Sequence, residues 1–143
     1  MNFIKKHLKN EKGLTLIELL AVVVILGIIA AIAIPSIGGL IDNSKKDAHV
    51  ANAQQMVNSA KLWVSGNGND PALATGKTLT LAQMYSEGLL DKIDDPDKTD
   101  YDENASKVVI AKSGNSYTYT VTLKNGTRGI TSKSGTIKRS DVQ

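Results

Sequence analysis

The sequence has no cysteine, so no disulfide staples it and no thiol carries chemistry. Its two histidines, His7 and His49, are too few for a histidine-rich metal site. Aromatic residues make up 4% of the 143 positions, which leaves little to fill a large core. A surplus of one charge is also missing from most of the chain. Residues 1–13 hold Lys5, Lys6, Lys9 and Lys12 against Glu11, and that net +3 equals the net charge of the whole. The other residues balance 13 basic against 13 acidic side chains, so the basic isoelectric point reports a tip rather than a nucleic-acid surface. No Ser/His/Asp spacing, Gly-rich phosphate loop or metal-ligand pattern is present. These absences argue against a soluble enzyme, and the length is that of one domain.

What is abundant is one apolar run. Leu14–Ile34 reads LTLIELLAVVVILGIIAAIAI, 21 residues with 14 Leu, Ile or Val and a single charge, Glu18. As a helix it is about 31 Å long, the thickness of a bilayer's hydrocarbon core. Insertion of its Leu, Ile and Val residues gains on the order of 4 to 8 kcal/mol, which outweighs one carboxylate near an end at about 3 kcal/mol or less. The four preceding lysines place residues 1–13 in the cytoplasm and Ser36 onward outside. Three readings follow: a plain single-span anchor, a secretory signal cut after Ala31-Ile32-Ala33, or a segment in which Glu18 has a purpose. An ordinary signal has a shorter apolar region and no glutamate. The third reading starts from Gly13-Leu14-Thr15-Leu16-Ile17-Glu18, a small residue at the junction of charge and grease followed five positions later by a carboxylate.

On these residues the chain resembles the type IV pilin and pseudopilin superfamily. The resemblance implies a basic leader, residues 1–13, that a prepilin peptidase removes after Gly13. It implies N-methylation of the new amine on Leu14, a position often held by Phe. Glu18 then falls at the family's fifth mature position, and Pro35 matches its common proline at the twenty-second. In the family, the glutamate of one subunit pairs with the amine of a neighbour and sets axial register in a filament. Taken alone, the spacing also allows a blander role, a carboxylate in the first turn of a helix beginning at Leu14. Pro35 is expected to kink the helix, and Gly27, Gly38 and Gly39 to weaken it or to let helices approach closely. The resemblance further implies a homo-oligomeric helical filament served by a pilus assembly ATPase and platform. The precursor resides in the plasma membrane and the product on the cell surface. The missing cysteine pair departs from many Gram-negative pilins and leans toward a Gram-positive producer.

Beyond the membrane the pattern turns amphipathic. Ala53, Met56, Val57, Ala60, Trp63 and Val64 form one stripe, and Gly66-Asn67-Gly68 ends it. A single helix is therefore expected from about Leu14 to Ser65, with Trp63 in the core, His49 in solvent and Ser44–Asp47 on the surface. A short helix is expected at Leu81–Glu87 behind a Thr80/Gln83 capping box. The rest of 66–105 reads as loop. Lys107–Lys112 and Ser116–Leu123 read as strands of a hairpin, with a third strand near Thr127–Thr131. Tyr117, Tyr119, Val121 and Leu123 should pack on the helix and the alternate threonines meet water. The fold class is α+β, a long helix with hydrophobic and amphipathic halves against a small antiparallel β-meander. The expected divisions are a leader at 1–13, an assembly helix at 14–35, its continuation at 36–65, a loop region at 66–105 and a sheet with tail at 106–143.

Charge is unevenly spread along the outer part. Asp91–Glu103 carries seven acids against two lysines, and Lys107 to the end carries seven bases against Asp141. Stacked subunits have use for such asymmetry. The acidic run offers hard oxygen ligands, and some pseudopilins bind calcium, but Asp95-Pro96-Asp97-Lys98-Thr99-Asp100 lacks the spacing and glycine of an EF-hand loop. No metal and no cofactor are assigned. The basic strands offer DNA only weak contact, without a dense Lys/Arg cluster. The favoured function is a pilin-type structural subunit. The alternative is a secreted or membrane-anchored surface binding domain that does not polymerise.

Overall fold

In a computed structural model the backbone is described for residues 2–143 and side chains from residue 12 onward; most of the expected leader, with His7, lies outside the side chains described. The first element, α1, is a helix over Asn2–Gly66. It is longer at its start than the sequence pattern implies, so in the uncleaved chain Glu18 stands in mid-helix rather than in a first turn. The helix is unbroken through Pro35, Gly38 and Gly39. It stops where expected: Asn67 donates its side-chain amide to the Trp63 carbonyl at 2.9 Å and its backbone N–H to Val64 at 3.2 Å, satisfying carbonyls that a helix end leaves open.

The chain divides into two units, Met1–Ile41 and Asp42–Gln143. In the second, the stripe Ala53, Met56, Val57, Ala60, Trp63 and Val64 is buried against a four-stranded antiparallel sheet. The strands run in the order β1 (Lys77–Thr80), β2 (Lys107–Ser113), β3 (Ser116–Lys124) and β4 (Gly129–Ser134). Leu79, Val108, Ile110, Val121, Leu123 and Ile130 supply the sheet's side of the core. The β2–β3 hairpin closes through Gly114-Asn115, with Gly114 at φ 62°, the positive value a tight hairpin turn asks of its first loop residue.

Two elements lie where a loop was expected. The short helix α2 covers Ala72–Thr75, and β1 pairs with β2 from Lys77↔Ile110 to Thr80↔Lys107. A four-residue strand shows one buried position, Leu79, too little alternation to reveal itself in sequence. It leads into α3 (Leu81–Ser86), whose capping box forms in full. Thr80 Oγ1 accepts from the Gln83 N–H at 3.2 Å, and Gln83 Oε1 accepts from the Thr80 N–H at 3.0 Å.

The threonine face is not wholly wet. Thr122 is buried, because the β3–β4 register shifts between Val121 and Leu123 and lets Thr122 Oγ1 accept the Ser132 N–H at 3.1 Å. β4 begins at Gly129, where a Cβ would run into the Leu123 carbonyl. The chain's last residue seals that point, since Gly129 and Gln143 exchange backbone hydrogen bonds of 2.8 and 3.0 Å.

Candidate functional site

Two arrangements hold the chemistry-bearing residues, and each lies within one unit. The first is the N-terminal part of α1. Its large hydrophobics from Leu14 to Ile41 are each 50–69% exposed, so none of them is covered among the described residues. An 18-residue window there reaches a mean hydropathy of 3.0, and among the described residues this is the one helix long and apolar enough to cross a membrane. Gly13, Leu14, Glu18, Gly27 and Pro35 are strung along this helix; Leu14 and Glu18, four apart, share a face, and no fold contact gathers the rest. Glu18 is exposed and has no hydrogen bond or ion pair among the described residues. A Cβ added at Gly13, Gly27, Gly38 or Gly39 would meet nothing within 4 Å. Their small size therefore answers to no contact within the chain. Hydroxyls in this part bond back to the helix: Thr15 to the Lys12 carbonyl at 3.0 Å, and Ser36 to the Ile32 carbonyl at 3.3 Å.

The second arrangement was not foreseen and corrects the placement of His49. That residue is 1% exposed, not solvated. It extends the Ala53–Met56 stripe one turn toward the N-terminus, so it faces inward with the core. The spacing His49, Ala53, Met56 was the available sign. Burial is tolerated because both ring nitrogens are bonded: Nδ1 lies 2.7 Å from the Tyr101 hydroxyl, and Nε2 lies 2.7 Å from Asp97 Oδ2. Asn52 donates to the same Tyr101 oxygen at 2.9 Å. The Asp97 carboxylate can only accept, so in the neutral ring the proton sits on Nε2 and Nδ1 accepts from the Tyr101 hydroxyl.

The acidic run supplies the other side. Asp95, 4% exposed, accepts from the Asp97 N–H at 2.9 Å, from Thr99 Oγ1 at 2.8 Å and from Asn125 Nδ2 at 3.0 Å. Burial opposes its ionised form, but these donors outweigh it and hold the carboxyl below its ordinary range. Asp97 follows the same logic: burial raises it, while His49, Asn125 and Arg128 pull it down further. Arg128 bridges Asp97 at 3.2 Å and Asp42 at 3.0 Å. Asn125 Oδ1 accepts the Arg128 N–H at 2.7 Å and the Thr127 N–H at 2.8 Å, which fixes the β3–β4 turn. Helix, acidic loop and turn are thus tied at one point.

This grouping imitates two functional designs. His49, Asp95 and Asp97 bring ligand atoms within 4.8 Å of one another, as a cation site would. Yet Asn125, Thr99 and Arg128 already fill those carboxylates with the protein's own donors, and a metal would have to displace a guanidinium. The donor set does not suit a hard cation. Asp97–His49–Tyr101 also has the order of a relay that activates a hydroxyl. Here the hydroxyl is buried, and burial pushes Tyr101 well above its ordinary pKa, which is opposite to what a nucleophile needs. Both designs serve to hold the loop.

A family model describing the prokaryotic N-terminal methylation motif matches residues 8–34. No curated protein and no solved structure matches the chain. The match covers Gly13, Leu14, Glu18 and Gly27 and stops one residue before Pro35. The chain carries the N-terminal methylation motif characteristic of type IV pilin and pseudopilin precursors.

Proposed function

We propose that the protein is a structural subunit of a type IV pilus or related pseudopilus. The observation that carries this reading is an exposed apolar helix with one carboxylate, Glu18, four residues after Leu14 and without a partner among the described residues. Lipid covers the helix in the precursor, with residues 1–13 on the cytoplasmic side. Prepilin peptidase cuts between Gly13 and Leu14, and the new Leu14 amine is methylated. Cutting does two things to Glu18 at once. It creates a cation where none existed, and it turns a mid-helix position into a first turn, where the helix N-terminus favours negative charge by a few tenths to about 1 kcal/mol.

Assembly then exchanges lipid for other copies of the same helix. An ionised carboxylate in an apolar bundle needs a partner, and the Leu14 amine of a neighbouring subunit supplies it. That pairing sets the axial register. Gly27, whose absent side chain leaves open space in the chain, lets neighbouring helices close in. Pro35 removes one helical N–H and leaves the Ala31 carbonyl without its donor, a weak point at which the helix can bend during packing. The assembly ATPase and platform supply the work of extraction, and the product stands on the cell surface.

Intact mass of the chain isolated from its producer tests the reading. Loss of residues 1–13 with gain of one methyl is expected. Loss of residues 1–33 would instead establish a secreted domain, and an uncut chain a simple anchor.

A further inference from the structure

A half-open cleft of about 600 Å3 lies in the unit Asp42–Gln143, lined by Gln54 and Lys61 of α1, Tyr117 and Tyr119 of β3, and Ser134 and Thr136 after it. We propose that this cleft is a saccharide-binding site that takes a sugar bearing a carboxylate. The inference is independent of how the N-terminus is processed or whether the chain polymerises.

The lining is chemically specific. The Thr118 hydroxyl is occupied by the Ala111 carbonyl, and Gln54 by Asn58. By contrast, the hydroxyls of Tyr117, Tyr119, Ser134 and Thr136 have no hydrogen-bond partner among the described residues. Four free hydroxyls around two half-buried rings match a polyol, whose C–H face stacks on an aromatic ring while its rim hydroxyls exchange hydrogen bonds. Burial and the neighbouring Tyr117 keep the Tyr119 phenol above its ordinary pKa, so it remains a neutral donor. Lys61 sets the ligand's charge. Its ammonium lies 5.6 Å from the Tyr119 ring centre and forms no ion pair with a described carboxylate. A nucleic acid presents a phosphate at every nucleotide and asks for a track of cations; one lysine inside a hydroxyl-lined cleft fits a sparsely charged glycan better.

The test uses the full chain in lipid nanodiscs, free of sugar-headed detergent, with ligand-observed NMR titrations. The probes are trigalacturonate, neutral maltotriose and a hexathymidylate strand. Trigalacturonate should saturate the site and bind more tightly than maltotriose. Lys61→Met, at an exposed position, should weaken trigalacturonate roughly fivefold or more and shift maltotriose by a smaller factor, so that the preference between the two sugars falls. Tyr119→Phe, which keeps the ring and loses the hydroxyl, should weaken both sugars, and Tyr119→Ala should lose both. The proposal is overturned by no saturation up to about 10 mM, by a Lys61→Met chain that binds like the parent, or by hexathymidylate displacing the sugar at lower concentration.

Discussion

The two units solve opposite problems with the same helix. In the described part of Met1–Ile41, apolar side chains are exposed along the whole run and its one carboxylate, Glu18, has no described partner. In Asp42–Gln143, apolar side chains are covered by the sheet, and even a histidine and two aspartates are buried with their bonds made inside the chain. One unit is chemically complete. The other leaves its apolar surface uncovered by the described residues, and under the proposed function lipid and then copies of itself complete it. A charge has different meanings in the two settings: Asp95 is satisfied by the fold, whereas Glu18 finds no partner among the described residues.

The sharpest way to break this contrast is to remove the unsatisfied charge. Glu18→Ala should leave membrane insertion intact, since deleting a carboxylate only favours the apolar state. It should leave the circular dichroism of the sheet unchanged and abolish filaments or scramble their register. Filament yield by electron microscopy from a Glu18→Ala strain checks it; a wild-type yield would remove Glu18 from the assembly mechanism.

The converse experiment adds a charge where the charges are already balanced. Asn125 donates to Asp95 and Asp97 at 3.0 and 3.1 Å, so Asn125→Asp deletes the donor and sets a third carboxylate beside two others. A loss of about 2 to 3 kcal/mol is expected. Asn125→Ala, which deletes the donor without adding charge, should cost less, and chemical denaturation of both variants measures the difference.

How much of this contrast was legible beforehand follows from where each kind of information resides. The N-terminal unit is written locally. Gly13, Glu18, the apolar run and Pro35 are read from their spacing together with the family resemblance it carries, and no folding is needed to see them. The helix stripe and the β2–β3 hairpin were also legible, through periods of 3.6 and two and a Gly-Asn turn. The buried cluster was not, because its members come from three distant segments: His49 from the helix, Asp95 and Asp97 from the loop, Asn125 and Arg128 from the turn. The run Asp91–Glu103 looked uniformly acidic, yet Asp95 and Asp97 are largely buried while Asp91, Asp94 and Asp100 are exposed. Composition does not distinguish them; the donors that reach them do. β1 was missed for a related reason, since four residues become a strand through pairing with β2 rather than through a pattern of their own.

Acid should expose the same asymmetry within the outer unit. Asp95 and Asp97 titrate below their unfolded values. Their contribution is therefore fully present above the ordinary carboxylate range of about 4 and is lost as pH falls through the lowered folded values. The thermal midpoint of the sheet unit should stay level from neutral pH down to about 5 and drop below about 4. Asp95→Asn should lower the midpoint at neutral pH and shrink the acid drop. An acid drop of undiminished size in that variant would transfer the effect to other carboxylates.

The smallest effect belongs to the ion pair with the best geometry. Arg139 grips Asp47 through two hydrogen bonds of 2.7 and 2.6 Å, closer than the contact Arg128 makes with Asp97. Distance alone ranks it first. Exposure reverses the ranking, because the Arg139 and Asp47 side chains are 51% and 53% exposed, so water screens the attraction and holding two flexible side chains together offsets much of what remains. The shared hydrogen bonds raise the Arg139 pKa and lower that of Asp47, favouring both charges, yet both groups would be solvated ions without each other. Arg139→Gln should leave the unfolding midpoint within experimental scatter at 0.15 M salt, where exposed charges are largely screened beyond about 8 Å. Arg128→Gln, which leaves the partly buried Asp97 without its guanidinium, should lower the midpoint measurably in the same buffer. If the Arg139 variant were the weaker of the two, bond length would outrank burial here, and the division between a self-satisfied unit and an environment-satisfied one would need a different physical basis.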